Sequence, residues 1–115
     1  MRKTNKWKKP KIRANKLTKW NWMVSHPKKL KMGKNVDIGA YTYIQSEFGV
    51  EIEDNVQIGA HCCLYTKNSE NKTKGKIKIF EGALIGAHTI ILPGTTVLPG
   101  TKIRAQSILK GGIYK

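Results

Sequence analysis

Along most of the chain, large or branched apolar residues recur every six positions. Met32, Ile38 and Ile44 are followed, after two extra residues, by Ile52, Ile58 and Leu64; the register then lapses and resumes at Ile79, Ile85, Ile91, Val97, Ile103 and Leu109. Four places after each stands a mostly small or apolar residue: Val36, Thr42, Phe48, Val56, Cys62, Ala83, Thr89, Thr95, Thr101, Ser107 and Ile113. Strict alternation would predict ordinary strands, and a 3.6-residue period a helix. Two inward positions in every six predict short strands joined by tight bends. Glycines at 33, 39, 59 and 86, together with Asn-, Asp- and Pro-Gly-containing segments, suit those bends. No such coil can bury its apolar side alone, but stacked coils share one column of core. The expectation is an all-β solenoid with very little helix. An antiparallel β-sandwich has no reason to hold a six-residue register for so long.

The segments 32-MGKNVDIGAYTYI-44, 49-GVEIEDNVQIGAHCCLY-65 and 82-GALIGAHTIILPGTTVLPG-100 resemble the hexapeptide-repeat acyltransferases, across roughly residues 26 to 109. Within that family they are most similar to the subgroup that acetylates sugars or amino sugars for surface glycans. The resemblance implies a left-handed parallel β-helix with three hexads per coil, here about four coils, although general crossover rules favour the right hand. It also implies a homotrimer, acetyl-CoA as donor, a sugar or nucleotide-linked amino sugar as acceptor for N- or O-acetylation, and active sites between subunits. Two departures stand out. Past the last hexad, where family members add a strand or helix, the sequence reads only 109-LKGGIYK-115. The protruding loop also lacks the catalytic histidine that many members carry there.

With three hexads per coil, those starting at Ile38, Ile58, Ile85 and Ile103 stack on one face. Their fourth residues, Tyr41, His61, His88 and Gln106, then form an outward ladder with rungs about 4.8 Å apart. The tetrapeptide IGAH occurs twice, at 58–61 and 85–88, in equivalent hexads, and its copies lie 27 residues apart because one 18-residue coil carries a nine-residue insertion within Lys67–Ile77. Acetyl transfer requires a base for the acceptor's proton, and neutral histidine is the commonest near neutral pH. His61 is the first candidate and His88 the second; packing at a subunit interface is the structural alternative for both. A backbone N–H would serve the oxyanion. Small residues in the third hexad position, Ala60, Ala87 and Ala105, would let a cofactor approach the backbone. By the resemblance, Ala87 and Ala105 match places that contact the pantetheine arm. Lys102, Arg104 and Lys110, near the end of the ladder, could meet phosphates or form a solvated edge. In the loop, Glu70 could orient a histidine or bind an acceptor amine, and Asn71 could hydrogen-bond a sugar; solvated loop residues are the alternative. Tyr41 could stack on an acceptor or pack at an interface, and His26 reads as the cap of the first coil.

Composition modifies this picture at one end. A chain of 115 residues is one domain or one repeat array. It divides into a basic segment, 1–25, and a repeat domain, 26–115, with a loop at about 67–77. The formal charge is +15, yet residues 1–35 hold 13 of the 22 Lys and Arg and no acidic residue. All three tryptophans lie in that third. Such a mixture suits nucleic acid, an anionic membrane surface or a solvated arm; with no recognised nucleic-acid motif, the solvated arm is the expectation. No apolar run approaches the roughly 20 residues of a membrane span, and the basic N-terminus has no apolar signal region. Adjacent Cys62 and Cys63 rarely meet disulfide geometry, so reduced thiols and a cytoplasmic location are expected. The γ-class carbonic anhydrases share the fold but need two zinc ligands five residues apart. Five beyond His88 is Pro93, so no metal is expected. The remaining alternative is a non-catalytic scaffold or binding module, which would not need a long polar insertion beside two outward histidines.

Overall fold

Short parallel strands stack coil on coil into three faces of a β-solenoid of about five turns in the computed structural model, which describes residues 7–115. The first face holds Leu30–Met32, Val50–Ile52, Ile77–Ile79, Thr95–Val97 and Gly112–Tyr114. The second holds Asp37–Ile38, Gln57–Ile58, Leu84–Ile85 and Lys102–Ile103. The third holds Met23–Val24, Tyr43–Gln45, Cys63–Tyr65, Ile90–Ile91 and Ile108–Leu109. Among the described residues the sole helix is one 3-10 turn, Pro27–Lys29. No helix there is long and apolar enough to cross a membrane.

The hexad spacing translates directly into strand register. Ile38, Ile58, Ile85 and Ile103 pair in succession, as do Ile44, Leu64, Ile91 and Leu109. Met32, Ile52, Ile79 and Val97 do the same on the first face. These side chains make the central column, with Ile44, Leu64, Ile79, Ile91 and Val97 fully buried. Each coil's apolar side is covered by the next, which is why the spacing must be kept.

Three expectations change. The solenoid has about five turns, not four, because it continues beyond the regular hexads at both ends. Met23–Val24 pairs with Tyr43–Ile44, inside the segment read as a basic arm, and Gly112–Tyr114 pairs with Thr95–Val97. Thr18, Trp22 and Val24 are buried there, but lysines and asparagines between them make the apolar spacing too sparse to read. Phe48, expected inward, is partly exposed: the two extra residues after Ile44 form a turn through Gly49, and Val50 takes the inward place. Ile113 is 71% exposed, while Tyr114 packs on the core. Gly111 and Gly112, both with positive φ, shorten that corner by one residue, and a one-residue slip reverses the faces of a strand.

Candidate active site

Where the second face turns into the third, each coil places one residue in the left-handed conformation. These are Asn21, Tyr41, His61, His88 and Gln106, with φ of 67°, 62°, 59°, 59° and 63°. Backbone bonds lock the column. The N–H of His61 donates to Ala40 O at 2.9 Å, that of His88 to Ala60 O at 3.0 Å, and that of Gln106 to Ala87 O at 2.9 Å. The side chains therefore emerge in one exposed ladder. The His61 and His88 rings stack with centroids 4.9 Å apart and planes 12° apart; Tyr41 and His61 lie at 5.5 Å and 32°. The spacing is that of adjacent strands.

The other two corners use residues that tolerate this conformation. From first to second face they are Asn35, Asn55, Gly82 and Gly100; from third to first, Gly49, Gly94 and Gly111. A bulky L-residue in the left-handed region costs about 1–2 kcal/mol. Gln106 shares the geometry, so the conformation is architecture. What distinguishes this corner is the placing of phenol and imidazole rings where the others use asparagine and glycine. From sequence, the fourth hexad position reads only as outward.

Behind the ladder runs a buried column of small polar side chains. Thr42 Oγ1 donates to Gly59 O at 2.9 Å and accepts from Cys62 N–H at 3.2 Å. The Cys62 thiol reaches Gly86 O at 3.3 Å, and Thr89 Oγ1 reaches Arg104 O at 3.4 Å. Each polar group finds a partner in the next coil, as burial requires. Burial also pushes the Cys62 pKa up, so this thiol is an inert core group.

The open donors at this corner lie beside the histidines. Ala60 and Ala87, half-buried, precede His61 and His88, and among the described residues their N–H groups donate to no acceptor. At the first-to-second corner the same place is capped in two of the four coils. Lys34 N–H donates to Asp54 Oδ1 at 2.8 Å and Glu81 N–H to Glu53 Oε1 at 3.1 Å. Carboxylates thus occupy two of that corner's donors, whereas Asp54 N–H there donates to no acceptor among the described residues and Pro99 has none to offer; no carboxylate reaches the donors at the histidine corner. Free N–H groups beside imidazoles suit the stabilisation of a developing oxyanion next to a general base.

The structure brings Tyr41, His61, His88 and Ala87 together. Ala105 and Arg104 lie on the following rung, with Lys102 on the outer side of the strand before it, and all three are exposed. Lys110 stands elsewhere, beyond Leu109 across the third face, where its N–H donates to Tyr114 Oη at 3.0 Å. Glu70 and Asn71 turn an antiparallel hairpin, Lys67–Asn68 with Thr73–Lys74, that rises from the third-to-first corner. Asn71 Oδ1 accepts from Thr73 N–H at 3.2 Å and Oγ1 at 2.8 Å, and Glu70 N–H donates to Asn68 Oδ1 at 3.1 Å. Within one chain, the width of the third face separates the hairpin from the ladder. His26 opens the 3-10 turn, its N–H donating to Ser46 Oγ at 3.1 Å.

One feature beside the ladder escapes the hexad search, which looks only at inward places. The outward row of the third face is Met23, Tyr43, Cys63, Ile90 and Ile108, with Tyr65 next to it. No charged side chain interrupts that row. Burial and a hydrogen bond to Cys63 push the Tyr65 phenol up to about 12. The signal was present as apolar residues immediately preceding Ile44, Leu64, Ile91 and Leu109.

No protein-family model matches the chain, and no curated protein matches it in sequence.

Proposed function

We propose that the protein is an acetyl-CoA-dependent acyltransferase that acetylates a sugar or nucleotide-linked amino sugar, with its site completed by a neighbouring subunit of a cytoplasmic homotrimer. The observation that carries this reading is the histidine corner: stacked, exposed imidazoles directly beside backbone N–H groups that donate to no acceptor among the described residues. Bound acetyl-CoA supplies the activated acyl thioester. His61, in the middle of the ladder, takes the proton from the attacking hydroxyl or amine, with His88 as the second candidate. The Ala60 or Ala87 N–H faces the oxygen on which negative charge develops. Ala87 and Ala105 leave room along the backbone for an extended cofactor arm, and Lys102 and Arg104 supply positive charge for its phosphates.

Two observations support a subunit boundary beside this corner. The uncharged outer row of the third face offers apolar area to bury on association. Glu70 and Asn71 can reach a histidine corner only across such a boundary, because the third face separates them from their own.

The test is release of free thiol from acetyl-CoA with a panel of nucleotide-linked amino sugars, together with CoA titration by calorimetry and sedimentation. His61→Ala should slow the chemical step by about 10²–10⁴-fold. If His61→Ala is near parental while His88→Ala is inactive, the two roles exchange. No thiol release with any acceptor and no CoA binding would leave a non-catalytic scaffold. A monomer in sedimentation would remove the shared site.

A further inference from the structure

Of the three tryptophans, two are engaged in the fold. Trp22 is 3% exposed and closes the N-terminal end of the core, and Trp7 donates its indole N–H to Val36 O at 3.1 Å. Trp20 is 45% exposed, and Leu17, three residues earlier, is 52% exposed. Trp20 sits in a turn closed by Asn21 N–H donating to Thr18 O at 2.9 Å. That turn is firmly built. Thr18 is buried, its N–H donates to Trp22 O at 2.8 Å, and its Oγ1 accepts from the N–H groups of Trp20 and Trp22, each at 3.3 Å. The fold thus holds two large apolar side chains out into water.

Along the chain, every charge up to and through this turn has one sign. Lys11, Arg13, Lys16 and Lys19 are exposed beside the turn, and no Asp or Glu precedes Asp37 anywhere in the sequence. Lys19 Nζ lies 5.1 Å from the Trp20 ring centre, an ammonium seated by an aromatic face.

We propose that the Leu17–Asn21 turn and its surrounding cations form a docking surface for an anionic lipid bilayer. An indole and a leucine fixed on a turn can enter the headgroup region, where tryptophan is at home, while lysines snorkel to anionic headgroups. Charge alone would equally admit single-stranded nucleic acid. The side-chain chemistry decides: such platforms stack successive bases on successive aromatic rings. Trp20 is the exposed tryptophan of this basic end, and the next exposed ring, Tyr41, is already packed against His61 at 5.5 Å. Leu17 adds to insertion into lipid and nothing to stacking. Asn21 O also accepts from Tyr41 N–H, so the docked turn lies at the N-terminal end of the histidine ladder and would hold that corner beside the bilayer. This inference does not depend on acyl transfer, because its readout is retention on lipid.

The full chain is sedimented with vesicles of phosphatidylcholine alone and of phosphatidylcholine containing about one third phosphatidylglycerol, and separately titrated with a single-stranded oligonucleotide. Expected is retention on the anionic vesicles at about 0.1 M salt and release near about 1 M, where charge is screened within a few ångströms. A blue shift of tryptophan emission should accompany binding and disappear in Trp20→Phe. Trp20→Ser and Leu17→Ser should each weaken partitioning on the order of tenfold with unchanged melting temperatures. Lys16→Gln and Lys19→Gln should each weaken it roughly fivefold. The proposal is overturned by no retention on anionic vesicles, or by parental retention in both serine variants. Binding of the oligonucleotide more tightly than the vesicles, with Leu17→Ser silent, also overturns it.

Discussion

Replacing Gly59 with alanine should drive two coils apart. A Cβ at that position would lie 2.6 Å from Ala87 N and 2.7 Å from Ala87 Cα, backbone atoms that no rotamer change can move. Carbon contacts relax at about 3.5–4.0 Å, so roughly 1 Å of separation is required. The coil that must give is held by Gly59 N–H donating to Ile85 O at 2.8 Å and His88 N–H donating to Ala60 O at 3.0 Å. Overpacking of this kind costs about 1–3 kcal/mol, and each stretched hydrogen bond gives up as much as about 1 kcal/mol. Alanine returns about 0.4–1 kcal/mol by restricting the unfolded chain. The expected net loss is about 2–4 kcal/mol. Gly94→Ala is the matched control: φ is 80° and nothing lies within 4 Å of a built Cβ, so only the left-handed cost applies. Less the same entropic gain, that loss is about 1 kcal/mol. Urea unfolding followed by circular dichroism, with m unchanged, measures both. If Gly59→Ala were no less stable than Gly94→Ala, close stacking of coils would not be the reason for that glycine.

Three further outcomes follow from the same geometry. His61→Asn exchanges ring stacking worth about 0.5–1.5 kcal/mol for relief of a left-handed imidazole, so thermal unfolding should change by less than about 1 kcal/mol. Turnover, measured in parallel, should still fall by about 10²–10⁴-fold. A maleimide should reach buried Cys62 only in denaturant, whereas Cys63, on the row proposed to face a neighbouring subunit, should be labelled faster once the protein is diluted until the subunits separate, as read by mass spectrometry of the peptides. Tyr65 binds its proton more tightly folded than unfolded, so its contribution is whole below pH about 10 and lost as pH rises through about 12. Tyr65→Phe should therefore flatten the alkaline decline of the urea midpoint relative to the parent.

Much of the column was legible because packing imposed it. An inward place accepts only a side chain that fills the core, so Ile38, Ile58, Ile85 and Ile103 announce their stacking through spacing alone. The ends were less legible, since Thr18 and Trp22 are buried among lysines that no periodic search would select. Phe48 and Ile113 misled for a related reason: insertions and glycine corners shift register without altering composition. At the candidate site, sequence located the histidine ladder but not the left-handed backbone beneath it. Nor could it show that Asp54 and Glu53 cap the N–H groups of Lys34 and Glu81 at one corner while their counterparts at Ala40 and Ala87 stay open. That difference lies in hydrogen bonds between coils, whose partners are about 20 or more residues apart in sequence.

The hairpin at the third-to-first corner has a consequence in polymer terms. His61 and His88 are 27 residues apart and His88 and Gln106 only 18, yet the same kind of backbone bond joins both pairs of rungs. Closing the longer ring costs only about 0.4 kcal/mol more than closing the shorter one. Chain length at that corner is therefore nearly uncoupled from folding free energy. Relatives with a longer, shorter or differently sequenced excursion would retain the same imidazole spacing and the same melting behaviour. The excursion is free to vary with whatever it must reach, while the ladder's dimensions stay those of a β-sheet.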